Sequence, residues 1–168
     1  MEPRLQAARR EIEVPLRKFL ADGKYASRIQ DLDSKAGSLQ PGSEERRDVM
    51  AQLTRFQNER WAATWARRHQ EQTEQRTEIQ ALSLGDSLAL LALPGEFFVE
   101  TADDIRSRCG VEDLLVACYA NDYIGYVIPP DAYDEGGYEA GITFCAPEAE
   151  GIIVDASLEL LQTVTNGN

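Results

Sequence analysis

From Leu5 to Leu16 apolar residues alternate loosely with charged ones, at Ile12, Val14 and Leu16. This predicts a strand whose end is disturbed by Pro15. Lys24 to Ser38 is polar and fits a short helix. Gln40-Pro41-Gly42-Ser43 reads as a turn, with Ser43 placed to cap the next helix and Glu44 and Glu45 in its first turn. From Glu44 to about Gln75 there is no Gly or Pro. Val49, Leu53 and Phe56 stand at helical spacing, and Trp61 and Trp65 are four apart. One long helix is predicted here, lying on the surface of a sheet by its narrow apolar stripe.

The period then changes. Thr77–Leu84 and Ser87–Leu93 are short apolar runs separated by Gly85-Asp86, a hairpin signal. Leu88 to Leu93 is apolar on both faces, which predicts a central strand. Phe97 to Arg108 reads as a helix ended by Gly110, and Leu114 to Tyr119 as a second buried strand. Ala120 to Pro147 is a long stretch rich in Gly, Tyr, Pro and acids. Glu148 to Thr163 is a final amphipathic helix, with Ile152, Ala156, Leu160 and Thr163 along one face. The expected architecture is a single α/β domain over residues 1–168: a mixed sheet with a long surface helix and helices packed on it.

Composition adds bounds. The chain has 168 residues, 43% hydrophobic and 27% charged, as in soluble globular proteins. No run reaches the roughly 18 apolar residues of a membrane span. Met1-Glu2-Pro3-Arg4 has no apolar signal region, which implies a cytoplasmic protein if Met1 is the natural start. The net charge of −12 argues against a nucleic-acid partner. The charge is uneven: after Thr77 the only basic residues are Arg106 and Arg108. This reads either as solubility or as an acidic cavity able to hold a cation. Cys109, Cys118 and Cys145 form no CxxC pair, so neither a disulfide framework nor a zinc finger is indicated. Cys118 reads as a small core residue. The sole histidine, His69, lies in the Arg/Gln-rich helix and reads as a surface residue, far in sequence from any cysteine it would have to activate.

Candidate chemistry gathers where the two apolar strands stop. Leu93 leads into Pro94-Gly95-Glu96, and Tyr119 into Ala120-Asn121-Asp122-Tyr123. Open α/β sheets place ligand sites at the carboxyl ends of strands. Glu96 is therefore placed to be a ligand or general base, or simply to cap the following helix. Tyr123, Tyr126, Tyr133 and Tyr138 are four of the chain's six tyrosines. Tyr123 and Tyr133 read as packing residues with backbone partners for their hydroxyls. Asp131, Asp134, Glu135 and Glu139 do not match the ligand spacing of an EF-hand.

Leu93-Pro94-Gly95-Glu96, then Ala120 to Val127, then Tyr138-Glu139-Ala140-Gly141-Ile142-Thr143 and Pro147, resemble in order and spacing the neutral ceramidase family and its bacterial ceramidase-like members. The resemblance runs from about Glu78 to Leu161. It implies the C-terminal half of a larger zinc amidase-like catalytic domain, acting in lipid metabolism on the amide bond of ceramide. It also implies a zinc bound by two histidines from an N-terminal part and by Glu96 and Tyr126 from this one, with Tyr138 as a catalytic tyrosine facing the oxyanion. The family's histidine segment and C-terminal β-sandwich are not in these residues. Phe97-Phe98-Val99-Glu100 replaces the family's Thr-rich continuation, which places the chain with the ceramidase-like branch.

Three functions follow. The chain is the C-terminal half of a zinc-dependent amidase, inactive without an N-terminal half or partner chain that supplies histidines. Alternatively, it is a non-catalytic binding or assembly domain that keeps the scaffold. In the third reading, it is a metal-free hydrolase using paired carboxylates such as Glu96 and Glu139. A missing half implies an apolar patch near the Glu96 and Tyr126 loops and a homo-oligomer formed through it.

Overall fold

The computed structural model describes residues 4–68, 72–85 and 87–165, with Arg67 and Arg68 described by backbone alone. His69 and Asp86 lie outside the described residues. Strand β1 (Leu5–Pro15) is followed by helices α1 (Asp22–Ser38) and α2 (Glu44–Arg68), then strands β2 (Glu74–Leu84), β3 (Leu88–Ala92) and β4 (Glu96–Phe97). Helix α3 (Val99–Arg108) leads to β5 (Asp113–Ala117) and β6 (Tyr126–Val127). Helices α4 (Pro130–Glu135), α5 (Gly137–Ile142) and α6 (Glu148–Thr165) complete the chain. The α/β class, the mixed sheet and the long helix are as the sequence pattern implies.

The main sheet has the order β1-β2-β3-β5. β1 and β2 pair antiparallel over their full lengths, from Leu5 opposite Leu84 to Pro15 opposite Glu74. β2 and β3 form the hairpin, with Gly85 at φ 67° where a side chain would be strained. β3 and β5 are parallel, Leu88 opposite Asp113 and Ala92 opposite Ala117, joined through α3. Both parallel strands thus end at the same edge of the sheet, and the two unusual loops leave from there.

One face of the sheet carries α6. Ile12, Val14, Ile79, Ala81, Ala89, Leu91 and Leu114 meet Ile153, Val154, Leu160, Leu161 and Val164 in one apolar core. Ser83 donates to the Val164 carbonyl at 2.6 Å, which ties the last turn of α6 to β2. The expected core stripe of α6 is rotated: Ile152 is 38% exposed and Thr163 is also exposed, while Ile153, Ser157 and Leu161 face inward.

Five other expectations are corrected. The long helix is described to Arg68 and has ended by Gln72 rather than near Gln75, and Glu74 onward pairs with β1. It packs against α1, where Leu32 and Ala36 meet Val49 and Leu53, and against α5, instead of the sheet. Gly141 makes this close approach possible, since a Cβ there would stand 2.8 Å from the Asn58 Cβ. The stretch from Ala120 to Pro147 is not one loop but holds β6 and two short helices. β5 is an edge strand with Leu115 59% exposed, and Cys118 past its end is only half-buried, whereas Cys109 and Cys145 are buried. Ser43 does cap α2, its Oγ accepting the Arg46 N–H at 3.2 Å. Among the described residues no helix is long and apolar enough to cross a membrane.

Candidate functional site

The two loops beyond β3 and β5 are zipped together by backbone. Leu93 N–H donates to Ala117 O (2.8 Å), Ala120 N–H to Leu93 O (3.0 Å), Tyr119 N–H to Gly95 O (3.0 Å) and Ile124 N–H to Pro94 O (2.8 Å). Glu96 N–H donates to Gly125 O at 2.9 Å, and β4 then pairs in parallel with β6. Glu96 stands directly opposite Tyr126 in that pair. A Cβ at position 95 would lie 2.6 Å from the Gly125 carbonyl oxygen, so only glycine lets the loops close this far.

The second loop reaches this path through strained backbone. Tyr119 and Asn121 have φ of 56° and 70°, a region few side chains occupy. Asp122 fixes the bend by accepting the Tyr123 N–H (2.7 Å) and the Thr77 hydroxyl (2.8 Å). Buried Thr143 donates its hydroxyl to the Tyr126 carbonyl at 2.7 Å, holding β6 from behind.

A carboxylate ringed by phenols results. The Tyr123 hydroxyl donates to Glu96 Oε1 at 2.5 Å. Tyr119 and Tyr126 also act on the carboxylate, each lowering its pKa. Burial alone pushes the Glu96 pKa up, but the hydrogen bonds outweigh it and hold the group below its ordinary 4.5. The phenols respond in the opposite sense. The bond to Glu96, with burial and the carboxylate's charge, pushes Tyr123 up to about 12 and raises Tyr119 and Tyr126 as well. At neutral pH the cluster is one anion and three protonated donors. Tyr119 and Tyr123 stack with centroids 5.8 Å apart and planes 7° apart, and Tyr138 meets Tyr126 edge-to-face at 6.2 Å.

The structure thus gathers Glu96, Tyr126 and Tyr138. Tyr123 is corrected from packing residue to closest partner of Glu96, whereas Tyr133 does pack, its hydroxyl donating to the Cys145 carbonyl at 2.8 Å. Tyr119, Asp122 and Thr143 were not singled out from the sequence. The signal for Tyr119 was its place at the end of β5, equivalent to that of Glu96 after β3. Exposed aromatics, Tyr119, Tyr123 and Tyr138, surround the site, whereas Leu5, Leu84 and Leu115 are exposed on the main sheet. Among the described residues no group of three or more His, Cys, Asp or Glu is placed to hold a metal. Glu96 and Tyr126 offer two oxygen donors, neighbours across the β4–β6 pair.

No protein-family model and no curated protein sequence matches the chain. Among solved structures, neutral ceramidase from Pseudomonas aeruginosa matches over 54% of this chain at 26% identity, with a TM-score of 0.50. A ceramidase complexed with C2 matches with the same values. Part of this chain has a ceramidase-like fold. The likeness relates it to ceramidase-like hydrolases, although the chain spans only about 15% of the length of those ceramidase chains. The ceramidase-like part accounts for roughly half of the 168 residues.

Proposed function

We propose that the chain forms the glutamate- and tyrosine-bearing part of a zinc-dependent, ceramidase-like amide hydrolase, with the histidines supplied by residues outside these 168. The observation that carries this reading is the placement of Glu96 directly opposite Tyr126 in the β4–β6 pair, at the carboxyl edge of the parallel strands. In it, Glu96 and Tyr126 hold the zinc beside two histidines of an N-terminal half or partner chain. Zinc held there would supply an activated water and polarise the amide carbonyl.

The chain's own residues do the rest. Tyr123 and Tyr119 hold the Glu96 carboxylate in one orientation, as outer partners hold a ligand. A cation beside Glu96 would offset the influence of the carboxylate, which raises the Tyr126 pKa. Tyr138, edge-on to Tyr126, presents its hydroxyl to the oxyanion of the tetrahedral intermediate. The uncovered aliphatic face of the sheet supports a further layer of polypeptide on this domain.

The test uses the chain alone, with and without imidazole as a stand-in for the missing histidines. The chain by itself is expected to retain no zinc at micromolar concentration and to cleave no N-acyl amide. Millimolar imidazole is expected to raise zinc retention in the wild type and not in Glu96→Gln. Chelator-resistant amidase activity from the chain alone would sink the proposal in favour of a carboxylate pair. Zinc retention that ignores Glu96→Gln would sink the assignment of the ligand.

A further inference from the structure

Beside the phenol cluster lies a cavity of about 470 Å³ that the amide-hydrolase reading does not use. Tyr123 is common to both, so an occupant would lie against the residue that holds Glu96. Its walls are aromatic: Phe19, Trp65, Phe144 and Tyr123 line it, with Trp65 and Phe144 stacked at 4.0 Å between centroids. Two arginines, Arg17 and Arg76, line it as well, and among the described residues that line it there is no Asp or Glu.

The two arginines differ. Arg17 is fixed: it donates to the Ala140 carbonyl (2.7 Å) and to Glu59 (3.1 Å), and its guanidinium lies 5.5 Å from the Phe19 ring centre and 5.8 Å from that of Tyr133. Glu59 also accepts from Arg55 at 3.0 Å, so two guanidiniums share one carboxylate and the group keeps a positive charge. Arg76 is exposed and paired with Glu11 across β1 and β2, a pairing weak enough to exchange for a ligand. The cavity volume falls within the roughly 300–1,000 Å³ of small-molecule sites.

We propose that this cavity binds an organic monoanion with a flat apolar body, of the aryl-carboxylate class. The ring lies among Trp65, Phe144 and Phe19, and the carboxylate meets Arg76 at the mouth with the field of Arg17 behind it. The proposal does not depend on zinc or on hydrolysis.

Tryptophan fluorescence reads it directly. Trp61 and Trp65 are the chain's two tryptophans, so Trp61→Phe leaves a single reporter in the cavity wall. The probes are 4-phenylbutyrate and 4-phenylbutylammonium, titrated with chelator present. The carboxylate is expected to give a saturable change, and the ammonium compound to bind at least about tenfold more weakly. Arg76→Gln should narrow that preference to about threefold or less. Ala66→Phe, which fills the cavity, should abolish the change, while Leu115→Glu on the sheet should leave it intact. Three results would overturn the proposal: no saturable signal up to about 10 mM, equal binding of both probes, or loss in Leu115→Glu with retention in Ala66→Phe. If Ala66→Phe does not fold, the charge preference and its response to Arg76→Gln still decide.

Discussion

The two faces of the main sheet are built from alternate residues of the same strands, yet they end differently. On one, Ile79, Ala81, Leu91 and Leu114 are buried under α6. On the other, strand register places Leu5, Leu84 and Leu88 together, and Leu82, Leu90 and Leu115 together. These six leucines line a shallow depression, and Leu5, Leu84 and Leu115 are 70%, 46% and 59% exposed. Farther along β1 and β2 the same face turns polar, where Arg9 pairs with Glu78 and Arg76 with Glu11. Apolar patterning therefore marks a face as suited to burial; whether a layer lands on it depends on what else is present. A patch of this kind on a soluble domain usually marks a contact surface.

Stability should separate the faces most sharply. Leu161→Ala, under the sheet on α6, is expected to cost about 2–5 kcal/mol in urea unfolding, since it removes a packed side chain and leaves a cavity. Leu115→Ala on the open face should cost no more than about 0.5 kcal/mol. Equal losses would mean that something covers Leu115 in solution, and the contrast would fail.

Association comes next in size. If the six leucines drive self-contact, the average mass in light scattering should rise with concentration, and Leu115→Glu should hold the chain monomeric by placing a charge in the middle of the patch. A wild type that stays monomeric at high concentration would remove self-association through this face. The patch would then be left to another polypeptide, as the proposed function expects.

Much of this was legible in the residues, and the failures share a cause. The hairpin around Gly85, the helix capped by Ser43 and the central place of β3 follow from local pattern alone. The local pattern extends the helix from Glu44 as far as Gln75 because Thr73-Glu74-Gln75 carries no local stop signal; pairing with β1, some 60 residues earlier in sequence, makes Glu74 and Gln75 strand instead. β5 was expected to be buried because Leu114-Leu115-Val116 is apolar throughout, and periodicity does not reveal that a strand lies at an edge. At the site, Pro94-Gly95-Glu96 and the tyrosine blocks were visible as motifs. The role of Tyr123 was not, because it depends on a left-handed bend at Tyr119 and Asn121 that turns its hydroxyl back toward Glu96.

The smallest expected effect lies past the strand ends, where both faces stop and a polar contact replaces apolar ones. Tyr123→Phe keeps the ring that stacks on Tyr119 and removes the closest donor to Glu96. Burial continues to push the Glu96 pKa up, and only Tyr119 and Tyr126 remain to oppose it, so the value should move up toward 4.5. Because the folded pKa lies below the ordinary value, the stability tied to the ionised group is fully present above pH 4.5. It is lost as the pH falls through the folded pKa. The variant should therefore be less stable than the wild type at neutral pH by about 0.5 kcal/mol, the low end for one hydrogen bond, because Tyr123 is 57% exposed. The gap should close once both proteins are protonated. Carboxyl NMR titration of Glu96 reads the shift, and urea unfolding at neutral and acid pH reads the gap. A gap that persists in acid would mean that the hydroxyl stabilises the loop through some contact other than the carboxylate.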